Sequence, residues 1–478
     1  MNAPLWTLDE IAAATAARIG GGFTQASGAS IDTRTLEPGD LYFAIKGDVH
    51  DGHDFVPAAL GKGASAAVVA AEKAGAFEGA ANRLIVVPDV LEAMRQLGRA
   101  ARRRSRARIV AITGSVGKTG TKEAMRLALS RQGATHASVA SYNNHWGVPL
   151  TLARLPRDAR FGVFEIGMNH AGEILPLTEM VRPHVAVITT VEPVHIEFFP
   201  SLWGIADAKG EIFSALEPGG TAVINRDNPY FERMRAHALA SDAGRILTFG
   251  EHEAADIRAE RILARPDQSI VEARIFGQPL TYRIGTPGRH IALNSLSVLA
   301  ASQALGADVA FVALTLSELK PPVGRGERTM LAVDGAEALL IDESYNANPA
   351  SVAAALANLG AVEIEGRGRR IAVLGDMKEL GGEGPRLHRG LSEAVAANGI
   401  DLVFAAGPLM QNLVDRLPRT QVAAHAETSA ELVEAVCGAI RPGDAIMVKG
   451  SLSMKMALVV KALKERYGAS QMAHALKG

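Results

Sequence analysis

The chain has 478 residues, 48% of them apolar and 21% charged, with a formal net charge of −1. That length exceeds a single hydrophobic core and predicts about three domains, while the near-neutral balance provides no global field toward nucleic acid or a membrane surface. The one cysteine, Cys437, excludes an intrachain disulfide or a multi-cysteine zinc site and reads as a packed core thiol. No stretch reaches ~18 uninterrupted apolar residues, and Met1 to Leu5 lack the pattern of a signal peptide. A cytoplasmic enzyme without membrane insertion is expected.

Apolar runs at 41–45, 66–70 and 84–87, separated by turn signals at Pro38-Gly39-Asp40 and Asp51-Gly52, predict a smaller α/β domain over 1–105. Residues 95–108 then carry seven arginines and no acid. No other basic cluster of this density occurs, so the segment reads as a solvated helix end and linker, not a nucleic-acid site. From 109 onward strands (109–113, 161–166, 185–191, 221–225, 246–249) alternate with helices (119–131, 173–180, 201–217). This predicts a mostly parallel sheet with helices on both faces, within a central domain over 106–323. Residues 256–285 read as short alternating strands, an antiparallel annex to that domain. The stretch Lys320-Pro-Pro-Val-Gly-Arg-Gly-Glu-Arg328 reads as a hinge. Beyond it, strands at 338–341, 371–374, 402–405 and 445–448 predict a second, Rossmann-like α/β domain over 324–478. Each is followed within two residues by glycine or acid (Asp342, Gly375, Gly407, Gly450), and ligands sit at the carboxyl ends of such strands.

The most informative stretch is Ala111-Ile-Thr-Gly114-Ser115-Val116-Gly117-Lys118-Thr119, which runs from a buried strand through a glycine turn into a helix. Converging backbone N–H groups and the helix dipole make an anion site, Lys118 adds a full charge, and the Thr119 hydroxyl can reach a phosphate-bound Mg²⁺. Ile112 stands where the ordinary P-loop has its first glycine, so this is a shorter Gly-x-x-Gly-Lys-Thr form. It predicts nucleoside triphosphate binding.

Three further residues carry chemistry. Glu165 closes an apolar strand downstream of this loop, where an acid commonly ligates nucleotide-bound Mg²⁺. His195 follows the strand 185–191 and points to the same strand-end face. On a helix over 201–217 the apolar face is Leu202, Ile205, Ile212, Phe213 and Leu216, and Lys209 falls in the middle of that stripe. An unpaired ammonium buried there would cost several kcal/mol, so Lys209 snorkels to solvent, has a partner or is modified.

Together these residues resemble the Mur ligase family of ATP-dependent amide-forming enzymes in peptidoglycan precursor synthesis. The match runs through Thr113 to Thr119, Asn143-Asn144 with Gly147-Val-Pro149, Glu165-Ile-Gly-Met-Asn169-His170, His195 and Ala208-Lys209. It continues through Arg289-His290-Ile-Ala-Leu-Asn294, Gly324-Arg325 and Asp342-Glu-Ser-Tyr345-Asn-Ala-Asn348-Pro349. Ile31-Asp-Thr-Arg34 with Pro38-Gly-Asp-Leu41, the stretch from Asp342, and Val373-Leu-Gly-Asp-Met377 with Glu379-Leu-Gly381 resemble the branch that adds D-alanyl-D-alanine.

The resemblance implies that the first domain binds the UDP-N-acetylmuramoyl-tripeptide, the central one binds ATP, and the C-terminal one closes on both. Gly114, Ser115, Val116, Gly117, Lys118, Thr119 and Gly120 would surround the phosphates. Asp342 would take the ribose, with Asn294, Arg325 and Asn346 around the rest of the nucleotide. Two Mg²⁺ ions are implied, one on Thr119 and Glu165, the other on His195 and a Lys209 carbamylated by CO₂. Asp32, Arg34, Gly47 and His53 would lie around the UDP end, and Asn143 and Asn144 near the substrate. In Val448-Lys449-Gly-Ser451, the next residue is Leu452 where the family often has arginine, and Lys449 and Ser451 remain candidates for the dipeptide. No nucleic-acid partner is implied, and a monomer is expected. The alternatives are another Mur or folylpolyglutamate-type ligase, or a regulatory P-loop NTPase. The absence of an Asn-Lys-x-Asp motif argues against a GTPase.

Overall fold

The computed structural model describes residues 4–364 and 366–468. Among them, the central sheet has nine strands. From one edge to the other they are Gln278–Ile284, Ser269–Ile275, Ile257–Ala264, Ala243–Gly250, Gly220–Asn225, Val185–Ile188, Arg108–Thr113, Phe161–Glu165 and Thr135–Ala137. The run from Ile257–Ala264 to Thr135–Ala137 is parallel, and the other two strands fold back as antiparallel hairpins. The expected annex is therefore a continuation of the main sheet.

The period-two alternation of a strand decides how this sheet is covered. Val110 and Ile112 pack with Met125 and Leu129 of the helix Lys118–Ser130 and with Leu296 of the helix Arg289–Ala304. Ile109 and Ala111 face the other way, into a core that also holds Met94, Leu97, Ile205 and Ile212 and runs on to Phe43 and Val68 of the first domain. The first domain and one face of the central sheet thus share one core. The first domain's own five-stranded sheet runs Arg18–Ile19, Leu84–Val87, Ala66–Ala70, Asp40–Phe43 and Gly28–Ser30.

The arginine-rich segment is a helix end and linker as expected, but it is not wholly solvated. It is the second half of the helix Val90–Arg104, and two of its arginines are structural. Arg102 is buried and donates to the Val181 and Arg182 carbonyls and to Glu217. Arg104 lies over the Trp6 ring, 3.7 Å from its centroid. Sequence charge alone does not distinguish these buried guanidinium groups from their solvated neighbours, because the Arg102 acceptors and the Trp6 ring under Arg104 lie far along the chain.

The C-terminal sheet orders Glu327–Val333, Ala336–Glu343, Ala445–Lys449, Arg370–Gly375, Leu402–Ala406 and Val422–Ala426, parallel except for the first. Cys437 is buried in its core, as expected. The helix expected over 201–217 is shorter, Leu202–Gly210, followed by a single 3₁₀ turn Glu211–Phe213. Ser201 caps it, accepting from the Gly204 N–H.

Candidate active site

The carboxyl ends of the central and C-terminal sheets face one cleft of ≈ 720 Å³, lined among others by Lys118, Glu165, His195, Asn294, Arg325 and Lys449. Residues far apart in the chain meet here because both domains present their strand-end loops to the same space.

The glycine loop ends the strand Arg108–Thr113 and opens the helix Lys118–Ser130. Gly117 has φ 88°, and a Cβ there would lie 2.3 Å from Asn294 Nδ2, so only glycine fits against this asparagine. Lys118 folds back to donate to the Gly114 carbonyl at 2.6 Å. Burial lowers its affinity for a proton, while Glu165 opposes that shift. Ser115 bonds to the loop beyond the strand Val185–Ile188, donating to the Glu192 carbonyl and accepting from its N–H. Ser115, Val116, Thr119 and Gly120 all line the cleft.

Glu165 is 1% exposed. Its Oε1 accepts from Asn143 Nδ2 at 2.7 Å, and Oε2 has no hydrogen-bond partner. A buried carboxylate oxygen without a partner is costly unless a cation or donor occupies the space before it. The Thr119 hydroxyl has one weak contact, 3.5 Å from Ser141 Oγ. This hard-oxygen donor pair fits Mg²⁺, which uses one or two protein oxygens and completes its shell with water and phosphate. Among the described residues no cluster of three His, Cys, Asp or Glu side chains stands ready as a protein-only cage. Asn144 accepts from the Trp146 and Gly147 N–H groups and so shapes the turn rather than offering its carbonyl oxygen to the cleft.

Lys209 is 3% exposed and, among the described residues, makes no hydrogen bond or ion pair. At that exposure the side chain does not extend into bulk solvent. Burial, reinforced by the Lys118 charge, pushes its amine well below the ordinary lysine range. CO₂ reacts with the deprotonated amine, the form that this burial favours. His195 sits at φ 58° just before a 3₁₀ turn, with Nδ1 2.5 Å from a Glu379 oxygen of the C-terminal domain. Burial lowers the proton affinity of His195, with Glu379 pulling the other way and Lys118 and Lys209 adding to the depression.

On the opposite wall, Arg325 stacks over Tyr345 at 4.1 Å. Lys449 is buried, donating to the Asn346 carbonyl at 2.9 Å and lying 3.4 Å from Glu343. Asp342 does not line the cleft. Its carboxylate accepts from the backbone N–H and hydroxyl of Ser344, while Glu343 faces the space. Ser451 likewise stands back, accepting from the Lys378 N–H.

In the first domain, Arg34 forms a forked pair with Asp32, Nη2 to Oδ2 at 2.6 Å, and its side chain is largely exposed. Gly47 lies against the Trp146 ring of the central domain. His53 is buried, with Nδ1 2.6 Å from Asp51 and Nε2 accepting from the Ala70 N–H. Both ring nitrogens are therefore used internally, and the side chain stabilises the fold. Sequence reasoning gave no role to Glu343, Tyr345 and His290 as wall residues, or to Glu379. All four stand inside quoted motifs, but only the fold turns the first three to the cleft and sets Glu379 on His195.

Comparison with known proteins defines the class. Three family models match in succession: "Mur ligase family, catalytic domain" over 25–102, "Mur ligase middle domain" over 112–302 and "Mur ligase, glutamate ligase domain" over 324–452. The chain belongs to the Mur ligase family. Among curated relatives, the UDP-N-acetylmuramoyl-tripeptide–D-alanyl-D-alanine ligase of Escherichia coli (strain K12) is 34% identical over 91% of this chain and 93% of its own. The enzyme of the same name from Bacillus subtilis (strain 168) is 31% identical over 92% and 93%. A MurF crystal structure from Acinetobacter baumannii superposes with TM-score 0.82 at 28% identity, covering 96% of this chain and 99% of that one. MurF ligase from Thermotoga maritima in complex with ADP gives 0.75 at 25% identity, over 92% and 98%.

Proposed function

We propose that this chain joins D-alanyl-D-alanine to UDP-N-acetylmuramoyl-tripeptide, converting ATP to ADP and phosphate. The carrying observation is likeness to ligases of that name along nearly the whole of both chains. A carboxylate is a poor electrophile, so its oxygen first attacks the γ-phosphorus of ATP, releasing ADP and forming an acyl phosphate. The neutral amine of the dipeptide then attacks the acyl carbon, and the tetrahedral adduct collapses with loss of phosphate and a proton.

Lys118, released from the Gly114 carbonyl, neutralises the β- and γ-oxygens as charge moves between them. The loop N–H groups hold the phosphates in line, and Asn143 keeps Glu165 oriented. Thr119 and Glu165 would hold one Mg²⁺, and His195 with carbamylated Lys209 a second; bound Mg²⁺ supplies positive charge to the phosphoryl oxygens. Arg325, Tyr345 and Asn346 contact the nucleotide from the C-terminal wall, with Asp342 supporting that loop. Asp32, Arg34 and Gly47 surround the UDP end. Domain closure excludes water, which would otherwise hydrolyse the acyl phosphate. In this reading the three domains, bounded near 105 and 323, act together as a cytoplasmic monomer.

Phosphate release with each substrate omitted in turn tests this reading. Full turnover requires both peptides, and amide product forms in step with phosphate. ATP hydrolysis indifferent to both peptides would favour a regulatory NTPase.

A further inference from the structure

Three consecutive residues of the central domain dock into the C-terminal domain beside the cleft. His195 meets Glu379, Ile196 packs against the C-terminal core around Leu380 and Met377, and Glu197 abuts Gly381, where an added Cβ would lie 2.9 Å from Glu197 Cβ. Both members of the charged contact hold left-handed backbone, His195 at φ 58° and Glu379 at φ 63°. Such conformations in residues other than glycine persist only where surrounding contacts enforce them. The Glu379 loop is itself anchored from behind. Asp376 is fully buried and accepts from the Met410 N–H, Met377 donates its N–H to His388 Nε2, and Lys378 donates its N–H to Ser451.

We propose that Glu379 is a positioning residue that couples C-terminal domain docking to the phosphate site by orienting the His195 ring. The carboxylate takes the Nδ1 side, which leaves Nε2 as the ring nitrogen available to the cleft. A carboxylate on one imidazole nitrogen fixes ring orientation and tautomer for work at the other. The present contact is close but bent, leaving Nδ1 without an in-line hydrogen bond, so a small ring rotation completes it. Ile196 and Glu197 supply the shape match that brings Glu379 within reach. Only the docked arrangement then carries a correctly set histidine, and phosphoryl transfer is confined to the state in which the site is covered. Water attack on the acyl phosphate, which returns carboxylate and inorganic phosphate without an amide, is suppressed by the same contact.

This rests on the ligase reading above, and the test separates the two. The full chain is assayed as wild type, Glu379→Gln, Glu379→Asp and Ile196→Ser, measuring amide product and phosphate in parallel. Glu379→Gln is expected to lower kcat about 10-fold, leave the KM for ATP unchanged, and raise the phosphate-to-amide ratio. Glu379→Asp recovers part of the rate. Ile196→Ser, which leaves the charged pair in place, raises the same ratio through loss of docking. Melting temperatures check that each variant is folded. Folded Glu379→Gln with wild-type kcat and wild-type phosphate-to-amide ratio would overturn the proposal. A wild-type protein that makes no amide would instead overturn the ligase reading.

Discussion

Lys209 is the most exacting place to test these arguments, because its burial makes a thermodynamic prediction independent of catalysis. An ordinary lysine titrates near 10.4, whereas burial and the Lys118 charge hold Lys209 well below that range in the folded protein. Between its folded value and about 10.4 the unfolded chain therefore binds one proton more than the folded chain. Stability then rises with pH across that window, by up to about 1.4 kcal/mol per pH unit for one group. Replacing Lys209 by Met keeps the volume and removes the titration. Urea unfolding in CO₂-free buffer from about pH 8 to 10 should show wild-type stability rising relative to Lys209→Met, with a slope approaching that limit. At neutral pH the variant should be at least as stable as wild type, since an unpartnered buried polar group costs about 1–3 kcal/mol. Lys209→Ala should be folded yet nearly inactive and partly restored by small carboxylic acids, and wild-type activity should rise with added bicarbonate. Parallel stability curves together with normal rates for both variants would refute the reasoning and return Lys209 to an ordinary ammonium.

Lys118→Ala should lose on the order of 100-fold in rate, the usual size of one transition-state charge, as read by phosphate release. Asn143→Ala frees the second oxygen of Glu165 and should cost about 10-fold in kcat or in Mg²⁺ dependence, measured by metal titration of the rate. Arg102→Ala takes one of the two arginines from Glu217, which keeps Arg182, and removes the donor of the Val181 carbonyl, so it should destabilise by about 1–3 kcal/mol in urea unfolding, with little change in the kcat of the folded fraction. Small-angle scattering should give a smaller radius with an ATP analogue and UDP-peptide bound than without, and an unchanged radius would indicate a cleft already closed.

How much was legible beforehand differed by the range of the interaction. The strands Ala66–Ala70 and Leu84–Val87 lie where apolar runs between turn signals placed them. The helix with Lys209 in its apolar stripe also formed, although it ends early in a 3₁₀ turn after Gly210, whose approach to the His237 ring depends on packing between helices. His53 and Asp342 were expected at ligands; the His53 ring bonds to Asp51 and the Ala70 N–H, and one Asp342 oxygen, Oδ1, accepts from Ser344. A polar residue in a motif has the same letter whether its hydrogen bonds are spent inside the protein or held for a substrate.

What the sequence by itself determined is whatever local physics dictates. That covers the alternation of strands and helices, the anion-binding turn at 114–119, and the misfit of a lysine among apolar neighbours. These follow from side-chain period, turn chemistry and the cost of buried charge, all readable within about a dozen residues. Tertiary structure alone decided which polar groups meet. It set Asn143 on Glu165, Glu379 on His195 and Lys449 on Asn346, and it buried Arg102 and Arg104 in what reads as a basic linker. Those pairings join residues tens to hundreds of positions apart: the fold of a single domain sets Asn143 on Glu165 and Lys449 on Asn346, and the meeting of two sheets' strand ends at a common cleft sets Glu379 on His195.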